Sequence, residues 1–446
     1  MNAYDFFLGP LYLAILYGIA YAVRSKVTTP QTKKYFILAL TLKFAGAITL
    51  GLIYHFYYFG GDTQRYYKLS KVIYEALTTD FMVGIKLLLA NGEFDPETFE
   101  YASRIKWYHS PAEYMVIKFT TVFSFLGFGS YTVAALFFAF FSFSGVWAAY
   151  RTFLKLYPKL TKEFAIAVLF LPSVVFWGSG LMKDSLTLGA LGWLFYGFYT
   201  FAIEKRRLFY SAVCILLSGY LIYIVKVYIL LSFLPPALLW VFNENSKLIK
   251  TKAIRILAKP VFLAVGGLGA YIAATTLTAG DKRYDVDKLA ETTKINNEFL
   301  TEMVESGSGY NISGLDGTMA GTLQAAPQAI NVALFRPYMW EVRNPFMLLS
   351  ALEAFLFLFV TLRIFFRVGV LKTLKMMAGE PIVLFCMIFS LVMALAVGLN
   401  SGNFGTLVRY KIPFMPFYLS ALYIMEAKVK EAALARKRRL KLAAVR

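Results

Sequence analysis

An apolar run ends abruptly in a polar turn in the first part of the chain. Residues 35–58 read YFILALTLKFAGAITLGLIYHFYY, and residues 59–67, which follow directly, read FGGDTQRYY. The first stretch is longer than the roughly 20 apolar residues that a transmembrane helix needs. The second stretch places a carboxylate beside two glycines and an arginine. Together they predict a membrane-spanning helix that ends in a polar segment at the membrane surface.

The composition of the whole chain agrees with a membrane protein. Of its 446 residues, 59% are hydrophobic and 16% are charged, whereas a soluble protein carries about 25% charged residues. Long apolar runs recur along the chain, and a β-barrel would show short alternating segments instead. The sequence therefore predicts an all-α fold, a polytopic transmembrane helical bundle that forms a single integral-membrane domain over residues 1–446.

About eleven segments are long and apolar enough to be interpreted as spans. They are residues 7–24, 35–58, 130–152, 163–178, 184–203, 208–224, 226–242, 260–278, 345–366, 381–398 and 411–426. Lysines and arginines lie in alternate loops and in a basic tail, 427–446, which the positive-inside rule places in the cytoplasm. We therefore expect a bacterial-type inner-membrane protein with its N-terminus outside. No basic segment precedes the first run, which predicts a retained helix rather than a cleaved signal peptide.

The net charge of +20 raises the question of nucleic-acid binding. The basic residues lie mostly in short loops between apolar runs, a distribution that anionic lipid headgroups explain better. We therefore expect membrane lipids, and no nucleic acid, as partners. Cys214 and Cys386 lie inside apolar segments, and His55 and His109 are the only histidines. The sequence predicts no disulfide, no metal site and no other cofactor.

Two long segments fall on the predicted outer face. Residues 59–129 are polar too often for spans and predict one or two helices lying in the membrane interface, although 115–128 could instead be a short re-entrant helix. Residues 279–344 form the only strongly hydrophilic stretch and are expected to be an extracytoplasmic loop. Its glycine-rich part, 306–321, is either a lid over a substrate or a plain surface linker.

Asp62 is the acid whose surroundings look most catalytic. Gly60 and Gly61 allow a sharp turn at the membrane surface, and Thr63 can start the following helix by capping or hydrogen bonding. Asp62 would then act as a general base that takes a proton from an acceptor hydroxyl. Alternatively, Asp62 is only the N-cap of the helix that follows.

Charged residues gather on the same predicted face. A charge at membrane depth costs about 2.5–3.5 kcal/mol on insertion scales, so these residues need partners. Because cations outnumber acids, a phosphate or pyrophosphate is the expected missing partner, held by arginine forks and lysine charges. The candidates for binding it are Arg65, Lys183, Asp184, Lys226, Arg336, Glu341, Arg343 and Arg409.

Structural alternatives remain for several of these charges. Lys183 with Asp184, or Arg336 with Glu341, could be ion pairs that hold helix ends. Against this, two glycines at 178 and 180 precede Lys183 and would allow backbone N–H groups and a helix N-terminus to face an anion. A further acid, at position 353 inside the ninth predicted span, either pairs with a cation or has a direct functional role.

A late motif adds a resemblance to known families. The sequence Gly405-Thr-Leu-Val-Arg409-Tyr-Lys-Ile-Pro413-Phe-Met-Pro416 is similar to the Arg-Tyr-x-x-Pro-x-x-Pro element near the end of many membrane glycosyltransferases of the GT-C superfamily. It also resembles the corresponding region of Wzy-type polysaccharide polymerases. The acid in an outer loop, Asp62, fits the same layout, although it follows the second span here and usually follows the first in GT-C enzymes.

These observations favour a glycosyltransferase or polysaccharide polymerase on the outer face of the membrane. Its donor would be a sugar on a polyprenyl phosphate or pyrophosphate, because nucleotide sugars are absent from that face, and its acceptor would be a glycan or lipid. Asp62 would be the base, and the cations would stabilise the leaving phosphate. The alternatives are a transporter or a flippase of lipid-linked glycans, and a membrane scaffold of an export machine.

Overall fold

The computed structural model describes residues 3–246, 289–302 and 308–443. Within these ranges the secondary structure is helical apart from one isolated bridge, between Gly309 and Asn403, which confirms the predicted all-α class. The predicted span 260–278 lies outside the described residues. The chain divides into two compact units: unit 1 is Met1–Thr152 with Ser173–Val227, and unit 2 is Phe153–Pro172 with Tyr228–Arg446.

The first half of the chain contains eleven helices and two π-helical turns in its described residues. The helices are α1 Ala3–Val27, α2 Lys33–Phe56, α3 Asp62–Thr79, α4 Phe81–Leu89, α5 Phe99–Ala102, α6 Pro111–Leu126, α7 Tyr131–Leu156, α8 Thr161–Phe164, α9 Pro172–Phe176, α10 Lys183–Phe198 and α11 Leu208–Ser246. The π-helical turns are Ala165–Leu169 and Tyr199–Ile203.

The described residues of the second half contain seven further helices. They are α12 Leu289–Glu302, α13 Met319–Phe335, α14 Pro345–Val368, α15 Val370–Gly379, α16 Pro381–Ser401, α17 Phe404–Tyr410 and α18 Met415–Ala443. A single 3₁₀ turn, Met339–Glu341, precedes α14.

Seven of the described helices are long and apolar enough to cross a membrane. They are Tyr4–Val27, Lys33–Phe56, Tyr131–Leu156, Lys183–Ile203, Leu208–Ser246, Met347–Val368 and Pro381–Ser401. Long apolar helices in this number indicate an integral membrane protein. The count of about eleven spans is not confirmed, and the predicted spans differ from the observed helices in three places.

Each of the three differences has a local cause. The predicted span 163–178 is interrupted, because it consists of α8, a π-helical turn, α9 and a non-helical end. The predicted spans 208–224 and 226–242 are the two parts of α11, which consists of two helices joined at a kink where the backbone of Lys226 departs from helical angles. The predicted span 411–426 lies mostly in α18, which continues into the basic tail and is therefore too highly charged to be counted as a span.

Contacts between helix ends in unit 1 show the relative direction of α1 and α7. At one end, Asp5 at the start of α1 accepts hydrogen bonds from the backbone N–H of Thr132 (3.1 Å) and from the hydroxyl of Ser130, at the start of α7. At the other end, the indole of Trp147 in α7 donates to the carbonyl of Val27 at the end of α1 (3.2 Å). Helices α1 and α7 therefore run in the same direction.

Glycines allow α7 and α10 to pack backbone to backbone. A Cβ atom built on Gly145 would lie 1.8 Å from the carbonyl oxygen of Gly189, and one built on Gly192 would lie 2.0 Å from that of Gly145. Small residues at such a crossing are the usual means by which membrane helices approach closely. This contact helps to fix α10, whose first turn carries Lys183 and Asp184.

The predicted outer segments contain more helix than the sequence indicated. Residues 59–129 hold helices α3 to α6 rather than one or two, and α3 packs on both α4 and α6. Residues 279–344, expected to be a hydrophilic loop, contain α12 and α13 in their described part. Helix α13 buries Ala325, Ala329 and Val332, and Ala329 contacts α16 at Gly398. Its apolar face therefore makes it part of the core of unit 2.

The glycine-rich part of this segment is held in place on one side. Tyr310 is buried, its N–H donates to the carbonyl of Gly402 (2.9 Å), and the N–H of Phe404 donates to the carbonyl of Ser308 (3.0 Å). Ile312 is buried as well. Residues 308–312 thus pack on the start of α17 instead of forming a free lid, and Ser306 and Gly307 lie outside the described residues.

Candidate functional site

Asp62 follows a tight turn against α2. Phe59 has a φ angle of 51° and Gly61 one of 107°, and Gly61 is the N-cap of α3. A side chain at position 61 would collide with Tyr54, because its Cβ would lie 2.5 Å from Cε1 of that ring. Asp62 is therefore the first residue of the helix. The alternative in which Asp62 is the N-cap is wrong, since Gly61 takes that place.

The residues after Asp62 fix the start of α3. The Thr63 hydroxyl does not cap the helix but forms a buried hydrogen bond with the Tyr131 hydroxyl (2.7 Å), and Gln64 donates to the backbone carbonyl of Tyr54 (3.0 Å). Arg65 is exposed, one turn after Asp62. Asp62 itself is half-buried, in the first turn of α3.

A break in the chain leads to the second candidate cluster. The short helix α9 ends at Phe176, and α10 begins only at Lys183, so residues 177–182 are non-helical. This stretch lies along α2: Gly46 contacts Val175, and Leu50 contacts Gly180. Irregular backbone at membrane depth is tolerated where it is buried in protein and its polar groups are satisfied.

A lysine that was not singled out from the sequence donates hydrogen bonds to backbone carbonyls at this break. Lys43, in α2, is buried, and its ammonium donates to the carbonyls of Gly178 (2.7 Å) and Val174 (2.8 Å) and to the hydroxyl of Ser142 (3.2 Å). The signal was present in the sequence, since a lone lysine inside an apolar run costs about 2.5–3.5 kcal/mol on insertion scales.

The first two residues of α10 each pair with a different helix. Lys183 contacts Glu113 in the first turn of α6 (2.5 Å), and Asp184 contacts Lys226 (2.5 Å) at the break in α11. The side chains of Lys226 and Asp184 are only 7% and 2% exposed, whereas Lys183 and Glu113 are 19% and 23% exposed. The pair of Asp184 and Lys226 is therefore closed off from solvent, whereas the pair of Lys183 and Glu113 is partly open to it.

The starts of α3 and α10 meet at one aromatic side chain. Tyr54 contacts Gly61, the N-cap of α3, and packs in one hydrophobic cluster with Met182, the N-cap of α10. Phe176 and Trp177 pack against the same cluster. Asp62 and Lys183, the first residues of the two helices, therefore lie at the same end of unit 1.

In unit 2, Arg336 is held by an acid and by aromatic rings. Its guanidinium binds Glu341 through Nε (3.0 Å to each carboxylate oxygen) and Nη2, and it lies over the rings of Phe404 (5.2 Å) and Tyr310 (5.6 Å). Burial alone would raise the pKa of Glu341. The hydrogen bonds from Arg336 and from the backbone N–H of Tyr338 outweigh it, so the pKa of Glu341 is lowered overall.

The remaining predicted residues of unit 2 differ in exposure. Arg343 is exposed and Arg409 is half-buried near the end of α17. Lys411, just beyond α17, is buried, and its ammonium has no hydrogen-bond acceptor among the described residues. Glu353, buried in α14, acts electrostatically on Lys411. Pairing with a nearby cation is one of the two roles that the sequence left open for Glu353.

The structure therefore groups the predicted residues differently from the sequence. Lys183, Asp184 and Lys226 come together in unit 1 at the end that carries Asp62 and Arg65. Unit 2 contains the pair of Arg336 and Glu341, together with Arg343 and Arg409. Three of the predicted cations already have acidic partners, and one of these acids, Glu113, had not been identified from the sequence.

Two further findings bear on the class of the site. Among the residues that the structure describes, no group of three or more His, Cys, Asp or Glu side chains is arranged to hold a metal ion. Comparison with protein families, with curated proteins and with solved structures finds no match for this chain.

Proposed function

We propose that this protein is a membrane glycosyltransferase or polysaccharide polymerase that uses a polyprenyl-(pyro)phosphate-linked sugar donor on the extracytoplasmic face of the inner membrane. The observation that carries the proposal is the meeting of α3 and α10 at Tyr54. It brings a half-buried acid, Asp62, to the same end of unit 1 as a partly exposed cation, Lys183.

The proposed reaction assigns one role to each charge. Asp62 takes the proton of the acceptor hydroxyl while the acceptor oxygen bonds to the anomeric carbon of the donor sugar. The bond between that carbon and the phosphate oxygen breaks, and the phosphate leaves with the electron pair. Lys183 and Arg65 stabilise the charge that develops on this phosphate.

The other charged candidates divide into two groups. Lys226 and Asp184 neutralise one another in a buried pair, so we assign them to holding α10 in place rather than to contacting phosphate. Arg336, Arg343 and Arg409 remain proposed phosphate-binding residues of unit 2 because of their positive charge. Glu341 would orient Arg336 in this role.

A transporter or flippase of lipid-linked glycans is the second candidate. Unit 1 has two helix breaks, one at 177–182 and one at Lys226, and the pair between Asp184 and Lys226 joins them. Discontinuous helices of this kind form the substrate sites of many secondary transporters.

Reconstitution separates the two candidates. The purified protein is placed in liposomes with a panel of polyprenyl-phosphate-linked and polyprenyl-pyrophosphate-linked sugars and glycan acceptors. The enzyme predicts release of polyprenyl phosphate or pyrophosphate together with a longer glycan. Movement of the intact donor between leaflets without release would contradict it and support the flippase.

A further inference from the structure

One face of α2 follows the broken segment from the middle of the helix to its end. Lys43 contacts Val174 and Gly178, and Leu50 contacts Gly180 and packs with Met182. Lys43 lies in the middle of α2 and Leu50 lies nearer its end. The broken segment therefore packs along one face of α2 and runs beside this helix toward the start of α10.

The break leaves backbone carbonyls without their helical partners. Helix α9 is only five residues long, and two of its carbonyls accept hydrogen bonds from side chains. The Ser179 hydroxyl donates to the carbonyl of Val175, and Lys43 donates to that of Val174. In a membrane, a carbonyl without a partner costs several kcal/mol. These hydrogen bonds therefore stabilise the break at this position in the chain.

The hydrogen bonds around Lys43 match an ammonium with three donors. Two carbonyls, of Val174 and Gly178, and the Ser142 hydroxyl accept from its Nζ, and the Ser142 hydroxyl in turn donates to the Gly178 carbonyl (2.6 Å). A charged lysine has three N–H donors and no acceptor, so all three are used. A side chain at 178 would crowd this arrangement, since its Cβ would lie 3.1 Å from Nζ and 2.5 Å from Leu188.

Carbonyls of an unwound helix are also the ligands that coordinate Na⁺ in ion-coupled transporters. In this protein the cation is part of the chain and cannot dissociate. An ion that is covalently attached can hold a break in one conformation, but it cannot couple the break to an ion gradient.

We propose that Lys43 is a built-in cation that locks the break at 177–182 in place of a bound Na⁺ or K⁺, and thereby positions the start of α10. Lys43 is then a positioning residue for Lys183. Only this last role rests on the proposed glycosyltransferase function, while the locked break stands independently of it. The proposal also distinguishes this break from the mobile, ion-gated breaks of transporters.

Hydrogen exchange of the full-length protein in lipid nanodiscs, followed by mass spectrometry, tests the lock. In Lys43→Met, amides of residues 172–186 are expected to exchange about tenfold faster or more, because a hydrogen-bonded charge is lost. Amides of α3 should keep their wild-type rates. The matched control is Lys68→Met, which removes an exposed lysine of α3 and should leave residues 172–186 unchanged. Wild-type exchange of this segment in Lys43→Met would overturn the proposal.

A milder variant covers the case in which Lys43→Met does not fold. Ser142→Ala removes one acceptor and the link to Gly178, and it should speed exchange of residues 172–186 by a smaller factor. If Lys43→Met cannot be purified and Ser142→Ala leaves this segment at its wild-type rate, the proposal is overturned.

Replacing the cation from solution tests the second half of the proposal. Wild-type exchange of residues 172–186 should be the same in NaCl, KCl and choline chloride, because no free ion is bound there. Lys43→Ala empties the cradle, and added methylammonium should slow the accelerated exchange. Na⁺-dependent protection in the wild type, or no effect of methylammonium on Lys43→Ala, would contradict the built-in cation. Sugar transfer is not measured here, so failure of the glycosyltransferase proposal would appear separately.

Discussion

At the scale of single residues, the position of Asp62 allows an informative substitution. Asp62→Asn keeps the size of the side chain at the first position of α3 and removes the proton acceptor. Loss of a general base slows a reaction by about 10²–10⁴-fold. Loss of the charge at the helix start costs only about 0.3–1 kcal/mol of stability. We expect a folded protein with almost no sugar transfer, measured as glycan elongation alongside melting temperature.

A second aspartate in the same segment provides the control. Asp80 is the N-cap of α4 and accepts hydrogen bonds from the N–H groups of Met82 and Val83. Asparagine caps a helix about as well as aspartate, so Asp80→Asn should leave both stability and transfer near the wild-type values. Near-normal transfer in Asp62→Asn would remove Asp62 from the mechanism and direct attention to Glu113.

The pair of Asp184 and Lys226 predicts a compensating double substitution. Because both side chains are buried, removing one charge leaves the other without its partner, at a cost of about 3–5 kcal/mol. Asp184→Asn and Lys226→Met should each lower the melting temperature clearly, and the double variant should recover most of the loss. Additive losses in a thermal-unfolding cycle would show that the two charges do not depend on each other.

The pair of Arg336 and Glu341 predicts a dependence of stability on pH. The folded state lowers the pKa of Glu341 below its ordinary value of 4.5. The pair therefore stabilises the fold fully above about pH 4.5, and this contribution is lost as the pH falls through the lowered pKa. The gap in melting temperature between wild type and Glu341→Gln should be constant near neutral pH and shrink below about pH 4.5.

Glu97→Gln is the control for this titration. The pair of Lys86 and Glu97 is 44% and 65% exposed, and such pairs contribute little to stability. Glu97→Gln should show almost no gap from wild type at any pH. A gap for Glu341→Gln that widened in acid would contradict the ion pair.

The sequence predicted that these charges need partners but not which partners they have. Lys183 and Asp184 are adjacent in a helix, and adjacent helical residues do not face each other. Each therefore takes a partner from another helix, Glu113 and Lys226, and only the tertiary structure brings those residues within reach. By contrast, Arg336 and Glu341 are close in sequence on either side of a tight turn, which is why the sequence offered that pair as an alternative.

At the scale of helices, the sequence predicted the uninterrupted spans well. Helices α1, α2, α7 and α16 consist of long apolar runs that hydropathy alone identifies. The segment 163–178 was predicted as one uninterrupted span because its residues are just as apolar. The residues that contact the interrupted part, Lys43, Gly46 and Ser142, lie on other helices, so the segment's own sequence does not show the interruption.

The crossing of α7 and α10 predicts an unusual sensitivity to a single methyl group. Gly192→Ala would place a Cβ 2.0 Å from the backbone of Gly145 and force the two helices apart. We expect a clear loss of melting temperature, since overpacking costs about 1–3 kcal/mol. Gly219→Ala in α11 is the matched control, because a Cβ there contacts nothing within 4 Å and should be neutral or slightly stabilising. Equal effects of the two substitutions would contradict the close crossing.

At the scale of the whole molecule, composition was enough to identify the class of protein. A soluble fold could not bury the apolar surface of a chain that has 59% hydrophobic residues and long apolar runs. The number of spans was harder to predict. Helix α11 has 39 residues and is therefore about 58 Å long, roughly twice the hydrocarbon thickness. A kink at Lys226 divides it into two helices, each of about half that length.

The central claim is that sugar transfer takes place at the end of unit 1 that carries Asp62, on the outer side of the membrane. Arg65→Cys, in a background without Cys214 and Cys386, places a label at this end because Arg65 is exposed. In intact cells, a membrane-impermeant maleimide should label Arg65→Cys. In sealed vesicles, the same reagent reports which side this end faces.

The decisive measurement uses sealed vesicles of the wild-type protein, prepared in the same way, and adds a water-soluble, short-chain polyprenyl-phosphate sugar donor to one side at a time. We predict release of short-chain polyprenyl phosphate and glycan extension only when the donor is on the side where Arg65→Cys is labelled, and neither in Asp62→Asn. Transfer from the opposite side only, or uptake of intact donor without release, would contradict the account.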